Sequence, residues 1–124
     1  MVTPQPQAGR TIAQLHRRFH VVVYATDPSA IEAAVLIAAG ADAYVANPRD
    51  LRSAVSAVGV GETWFSPVAA AAVCRLARLA GDPSLLGLAA AARATAAGHP
   101  WQVACQSLGL RATQSDLHRL RQHL

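Results

Sequence analysis

The chain has 124 residues, 52% of them apolar and 15% charged, a balance that excludes a disordered polar chain and leaves room for one ordinary domain or two undersized ones. Its formal net charge of +4 rests on Arg alone, since no Lys occurs, and fits a phosphate-bearing partner without specifying one. The amino terminus lacks an apolar leader and no apolar run reaches the ~18 residues of a membrane span, so a cytoplasmic protein with no membrane partner is the expectation.

Residues 1–10, rich in Pro, Gln and Gly, read as a loose arm because the prolines oppose helix and nothing there is periodic. From Thr11, the spacing of Ile12, Leu15 and Phe19 predicts a short helix with Arg17 and Arg18 turned outward. The run HVVVYAT follows, β-branched and without polar alternation, as in a strand covered on both faces. Ser29 and Gly40 then bracket an apolar helix as N-cap and C-cap. ADAYVAN reads as a second strand. Pro48 and Asp50 open a further helix in which Leu51, Val55 and Val58 recur at three to four residues. Helix, strand, helix, strand, helix implies two parallel strands joined by a crossover. Beyond Gly61 the chain reads as helix throughout. One helix starts at Ser66-Pro67 and breaks at Asp82-Pro83; the others run over about 84–97, 100–107 and 113–123.

The segment from Val21 to Pro67 resembles the rear of a receiver domain in LuxR-type (NarL-like) response regulators. VVVYAT precedes Gly40-Ala41-Asp42-Ala43-Tyr44-Val45-Ala46-Asn47 at the family's distance for its GADGYLLK motif. The following PRDLRSAVSAVGVGETWFSP parallels the family's PEELLEAIRAVAAGETWLSP. The carboxyl-terminal half is similar to the same family more distantly, through GHPWQVACQSLGL against GLSNKEIAERLGI. The LTPRE opening is replaced by PSLLGLAAAARA.

The resemblance implies an α/β then all-α fold: a two-strand parallel remnant of a receiver (flavodoxin-like) fold, followed by a helical helix-turn-helix domain. Its divisions would be a flexible arm at 1–10, a partial receiver at 11–61, a linker with its helix at 62–82, and a LuxR-type helix-turn-helix-like domain at 83–124. The family's switch hydroxyl falls on Ala25, its phosphate-pairing Lys on Asn47, and its switch aromatic on Tyr44. The paired acids and the phosphoacceptor Asp of the earlier receiver strands have no counterpart before Thr11, so phosphorylation-independent action is expected. A neutral Asn cannot neutralise an aspartyl phosphate.

A recognition helix must present phosphate- and base-contacting side chains, and Arg111, Thr113, Gln114, Ser115, His118, Arg119 and Arg121 supply the right types. A solvated polar face opposite Leu117, Leu120 and Leu124 accounts for the same residues, so the pattern alone does not choose. Trp64 and Trp101 read as core or interface anchors. His16, His20, His99, His118 and His123 form no metal-ligand spacing, and Cys74 and Cys105 form neither a redox pair nor a ligand pair, so no metal and no cofactor are expected. No nucleophile–base pair, phosphate loop or carboxylate pair suggests an enzyme. Two readings remain. One is an atypical transcriptional regulator that dimerises and binds DNA. The other is an interaction module that pairs with an intact response regulator through the receiver-like face at residues 29–60.

Overall fold

A computed structural model describes residues 8–16, 19–110 and 113–124. Their order is α1 (Ala8–Leu15), β1 (Val22–Tyr24), α2 (Ala30–Ala39), β2 (Ala43–Val45), a 3-10 turn at Pro48–Asp50, α3 (Leu51–Gly59), β3 (Trp64–Phe65), α4 (Pro67–Ala80), a 3-10 turn at Pro83–Leu85, α5 (Leu86–Ala96), α6 (Trp101–Ser107) and α7 (Gln114–Arg121). The chain is α/β in its first half and helical in its second.

The Val-rich run and ADAYVAN form adjacent parallel strands, with Val23 opposite Tyr44. Both are buried almost throughout, which is why they lack polar alternation. A third parallel strand was not anticipated. Trp64 and Phe65 extend the sheet beyond β2 in the order β1-β2-β3, with Tyr44 opposite Phe65. Two residues are too short to carry a period, so this stretch reads as linker in the sequence.

The crossover helices form where expected. The Ser29 hydroxyl accepts the Glu32 N–H at 3.3 Å at the start of α2. Gly40 closes that helix at φ 133°, with its N–H on the Leu36 and Ile37 carbonyls. A Cβ at Gly40 would lie 2.4 Å from the His16 ring, so the close approach of the chain before β1 also requires glycine. α2 packs between α1 and α4, while α3 touches all three strands.

Three expectations shift in detail. Helix α1 begins at Ala8 rather than Thr11 and ends at Leu15, so Phe19 falls beyond it and is exposed while Ile12 is buried. On α3 the buried face is Ala54, Ala57 and Val58, which leaves Val55 outside. Leu117 and Leu120 are fully buried, whereas Leu124 lies past the end of α7 and is exposed. Of the arm expected at 1–10, residues 8–10 belong instead to α1, while residues 1–7, together with Arg17 and Arg18, lie outside the described residues.

The helical half is built on an α4–α5 hairpin, whose turn uses Gly81 at φ 66° and an Asp82 side chain that accepts the Ser84 N–H at 2.9 Å. The buried residues of these two helices and their turn are mostly alanine, including Ala69, Ala70, Ala77, Ala91 and Ala92, with Val73, Leu85 and Leu88. Small side chains let the helices approach closely but bury little area each, at roughly 25 cal/mol per Å2. Larger anchors join the halves: Phe65 on the sheet meets Trp101 on α6 edge to face, with centroids 4.9 Å apart. One buried cluster therefore runs from Ala8 to Leu120.

Candidate nucleic-acid interface

Helix α7 carries most of the predicted contact residues, and its start is tied to the sheet end of the chain. Thr113 makes an antiparallel bridge to Glu62, and the Gln114 N–H donates to the Gly61 carbonyl at 3.0 Å. The Asp116 carboxylate accepts the Thr113 N–H at 2.9 Å, closing the first turn. Rather than lying chiefly on α6, α7 rests on α4 and on the Pro83–Leu85 turn, while α6 rests on α5 and β3.

The predicted residues divide by helical face. Gln114, Leu117, Leu120 and Arg121 point inward. The Gln114 amide donates to the carbonyls of Val58 at 2.9 Å and Glu62 at 3.2 Å, holding the end of α3. Arg121 reaches the end of α2, where its Nε donates to the Ile37 carbonyl at 2.8 Å and its second terminal nitrogen donates to the Ala41 carbonyl at 2.6 Å. A cation on the last carbonyls of a helix complements both the unsatisfied acceptors and the negative end of the dipole. Burial pushes the Arg121 guanidinium down from its ordinary value, and neighbouring Asp42 opposes that shift. Asp42 is itself buried, which raises its carboxyl above the usual range; the Val21 N–H at 2.9 Å and Arg121 pull it back. Gln114 and Arg121 thus serve as ties between the halves of the chain.

The opposite face carries Ser115, His118, Arg119 and Gln122, all exposed. Arg119 pairs with Asp116 one turn back, and His118 lies 3.4 Å from the Gln122 amide. Beyond the helix, His123 binds Asp82 at 3.0 Å. That contact and the Ser84 hydroxyl and N–H hold the Asp82 carboxyl down to about 2. Thr113 is half-buried in the bridge, and Arg111 lies outside the described residues.

The three receiver-switch positions are structural. Ala25 is buried and its N–H donates to the Val45 carbonyl at 2.8 Å. The Tyr44 hydroxyl donates to the Glu32 carboxylate at 3.2 Å and accepts the Ser29 N–H at 3.3 Å, and burial pushes its phenol up to about 12. Asn47 is exposed and caps the next turn through the Arg49 N–H at 3.0 Å. Among the described residues no group of three His, Cys, Asp or Glu side chains could hold a metal ion, and no helix is long and apolar enough to cross a membrane.

The tying roles of Gln114 and Arg121 had a signal in the sequence. Positions 114, 117 and 121 recur at three and four residues, so a polar side chain sharing a stripe with Leu117 must find partners inside. Asp42 gave no comparable sign. Set against known protein families, curated proteins and solved structures, the chain matches none of them.

Proposed function

We propose that this chain is a non-catalytic, phosphorylation-independent DNA-binding regulator of the LuxR-type (NarL-like) kind, and that it contacts DNA through the outward face of α7. The carrying observation is the division of that helix: its inner face is fixed to α2, α3 and α4, while Ser115, His118, Arg119 and Gln122 form one continuous polar stripe outside. A reading helix must be held rigidly and must present hydrogen-bonding side chains, and α7 meets both conditions. Gln114 and Arg121 leave the contact set because their donors are spent on the chain's own carbonyls. Thr113 stands at the entry to the helix.

Charge placement supports the same reading. Arg119 lies on the outward stripe, and Arg10, Arg49 and Arg52 are exposed elsewhere on the surface. With the formal net charge of +4, these cations give a duplex a non-specific electrostatic attraction. Fluorescence anisotropy with a labelled GC-rich duplex tests the proposal. Binding should weaken steeply with salt and fall about tenfold or more when Ser115, His118 and Arg119 are changed together to Ala, with unfolding unchanged. Absence of binding at low salt, or full binding by the triple variant, overturns it.

A second reading has its own observation. Ile31 and Val35 stand one turn apart on α2 and both are exposed, within the face through which receivers pair. Pairing there with a second copy or with an intact receiver domain is compatible with DNA binding by α7. Ile31→Glu with Val35→Glu should abolish it in sedimentation experiments.

A further inference from the structure

The outer side of the α4–α5 hairpin has a surface that the DNA-binding reading does not use. Two adjoining grooves of about 560 and 470 Å3 share Cys74, Arg78 and Arg93. Their apolar border includes Leu79 and Leu86, which are 78% and 69% exposed and rank among the most exposed large apolar side chains of the described surface. Arg75 and His99 complete the polar border.

The residues alternate by helical turn. Cys74, Arg75, Arg78 and Leu79 form one stripe along α4, and Leu86, Ala89, Ala90 and Arg93 form its counterpart along α5. No Asp or Glu lines either groove, and Arg75, Arg78 and Arg93 make no ion pair among the described residues. An apolar floor flanked by three open guanidinium groups suits neither a bare phosphate backbone nor a neutral apolar helix. It suits an amphipathic helix whose apolar ridge is bordered by carboxylates, since Arg offers carboxylates a two-pronged donor geometry.

A second copy of this chain cannot supply that helix. Two-fold pairing through the groove would set the three arginines against their own equivalents. The chain's own acids form no stripe either: of the seven, only Glu32 and Asp116 lie within α-helices, and those are the separate helices α2 and α7.

We propose that the α4–α5 groove docks an acidic amphipathic helix of a different protein, with its apolar ridge on Cys74, Ala89 and Ala90 between Leu79 and Leu86, and its carboxylates on Arg75, Arg78 and Arg93. The proposal stands independently of DNA binding by α7, none of whose residues lines either groove.

The test uses the full chain and a fluorescent helical peptide of Leu, Ala and Glu, fourteen residues long to match α4. Otherwise identical peptides carry Gln or Lys in place of Glu. The Glu peptide should bind saturably and more weakly as salt rises, and the Gln and Lys versions should bind at least about tenfold less well. Arg78→Ala with Arg93→Ala should reduce Glu-peptide affinity by about tenfold while leaving the unfolding midpoint and the anisotropy response to duplex DNA unchanged, since both side chains are exposed. Leu86→Ala should weaken the peptide separately. Failure of the Glu peptide to bind, equal binding of the Lys peptide, indifference to the double substitution, or displacement of the peptide by DNA from the groove itself would each overturn the proposal.

Discussion

Replacing Arg121 by Ala separates a structural from a DNA-contacting role. In the native chain the guanidinium donates to Ile37 and Ala41, and a hydrogen bond from a charged donor contributes about 1.5–3 kcal/mol. Because the site is half-buried and water can reach part of it after truncation, the lower end applies, and the loss should be about 2–4 kcal/mol. With unfolding entropy near 2.1 cal/mol/K per residue, 124 residues give ~0.26 kcal/mol/K, so the midpoint should fall by about 8–15 °C. Urea unfolding followed by the fluorescence of the buried Trp64 and Trp101 reads the change directly. Arg119→Ala, on the exposed face, should stay within about 1 kcal/mol.

The pH dependence gives Arg121 a second signature. The Asp42 carboxyl is already raised by burial, and removing the cation raises it further. A folded pKa above the unfolded one confers stability that is complete below the unfolded value and disappears as pH rises through the folded value. The Arg121→Ala deficit should therefore narrow as pH falls from neutrality through the carboxylate range, and Asp42→Asn should remove that narrowing. A variant within about 0.5 kcal/mol of the native chain at neutral pH would refute the reasoning.

Three further predictions test the frame around the site. Gly40→Ala forces a side chain into left-handed backbone against His16, and chemical denaturation should reveal a loss of about 2 kcal/mol or more. His123→Ala should move the Asp82 carboxyl up from about 2 toward 3.8, only part of the way because Ser84 remains bonded; stability present above 3.8 and lost toward pH 2 shrinks accordingly, and carboxyl carbon shifts in a pH titration measure it. The Thr95 hydroxyl is buried in α5 and has no partner among the described residues, so Thr95→Val should leave stability unchanged or raise it by up to about 1 kcal/mol in thermal melts.

The sequence revealed elements better than it revealed partners. Val21–Tyr24 and Ala43–Val45 were legible because strands buried on both faces must be apolar without alternation, and α2 because Ser29 and Gly40 mark its ends. β3 was hidden because its two residues gain strand character only by lying beside Tyr44. On α7 the polar residues at 114 and 121 share a composition with those at 115 and 119. The stripe shared with Leu117 marks 114 and 121 as inward, but the carbonyls that receive them, at the ends of α3 and α2, lie far away in sequence. The same holds for Arg75, Arg78 and Arg93, whose grouping depends on how the hairpin closes.

The α7 proposal is tested most directly by an amide nitrogen–proton correlation spectrum of the labelled chain, recorded as duplex DNA is added. DNA contact through the outer stripe predicts shifts concentrated at Ser115, His118, Arg119 and Gln122, with the α4–α5 groove and the Asn47–Leu51 turn unmoved. Shifts confined to the groove, or a spectrum that does not change at low salt, would contradict it.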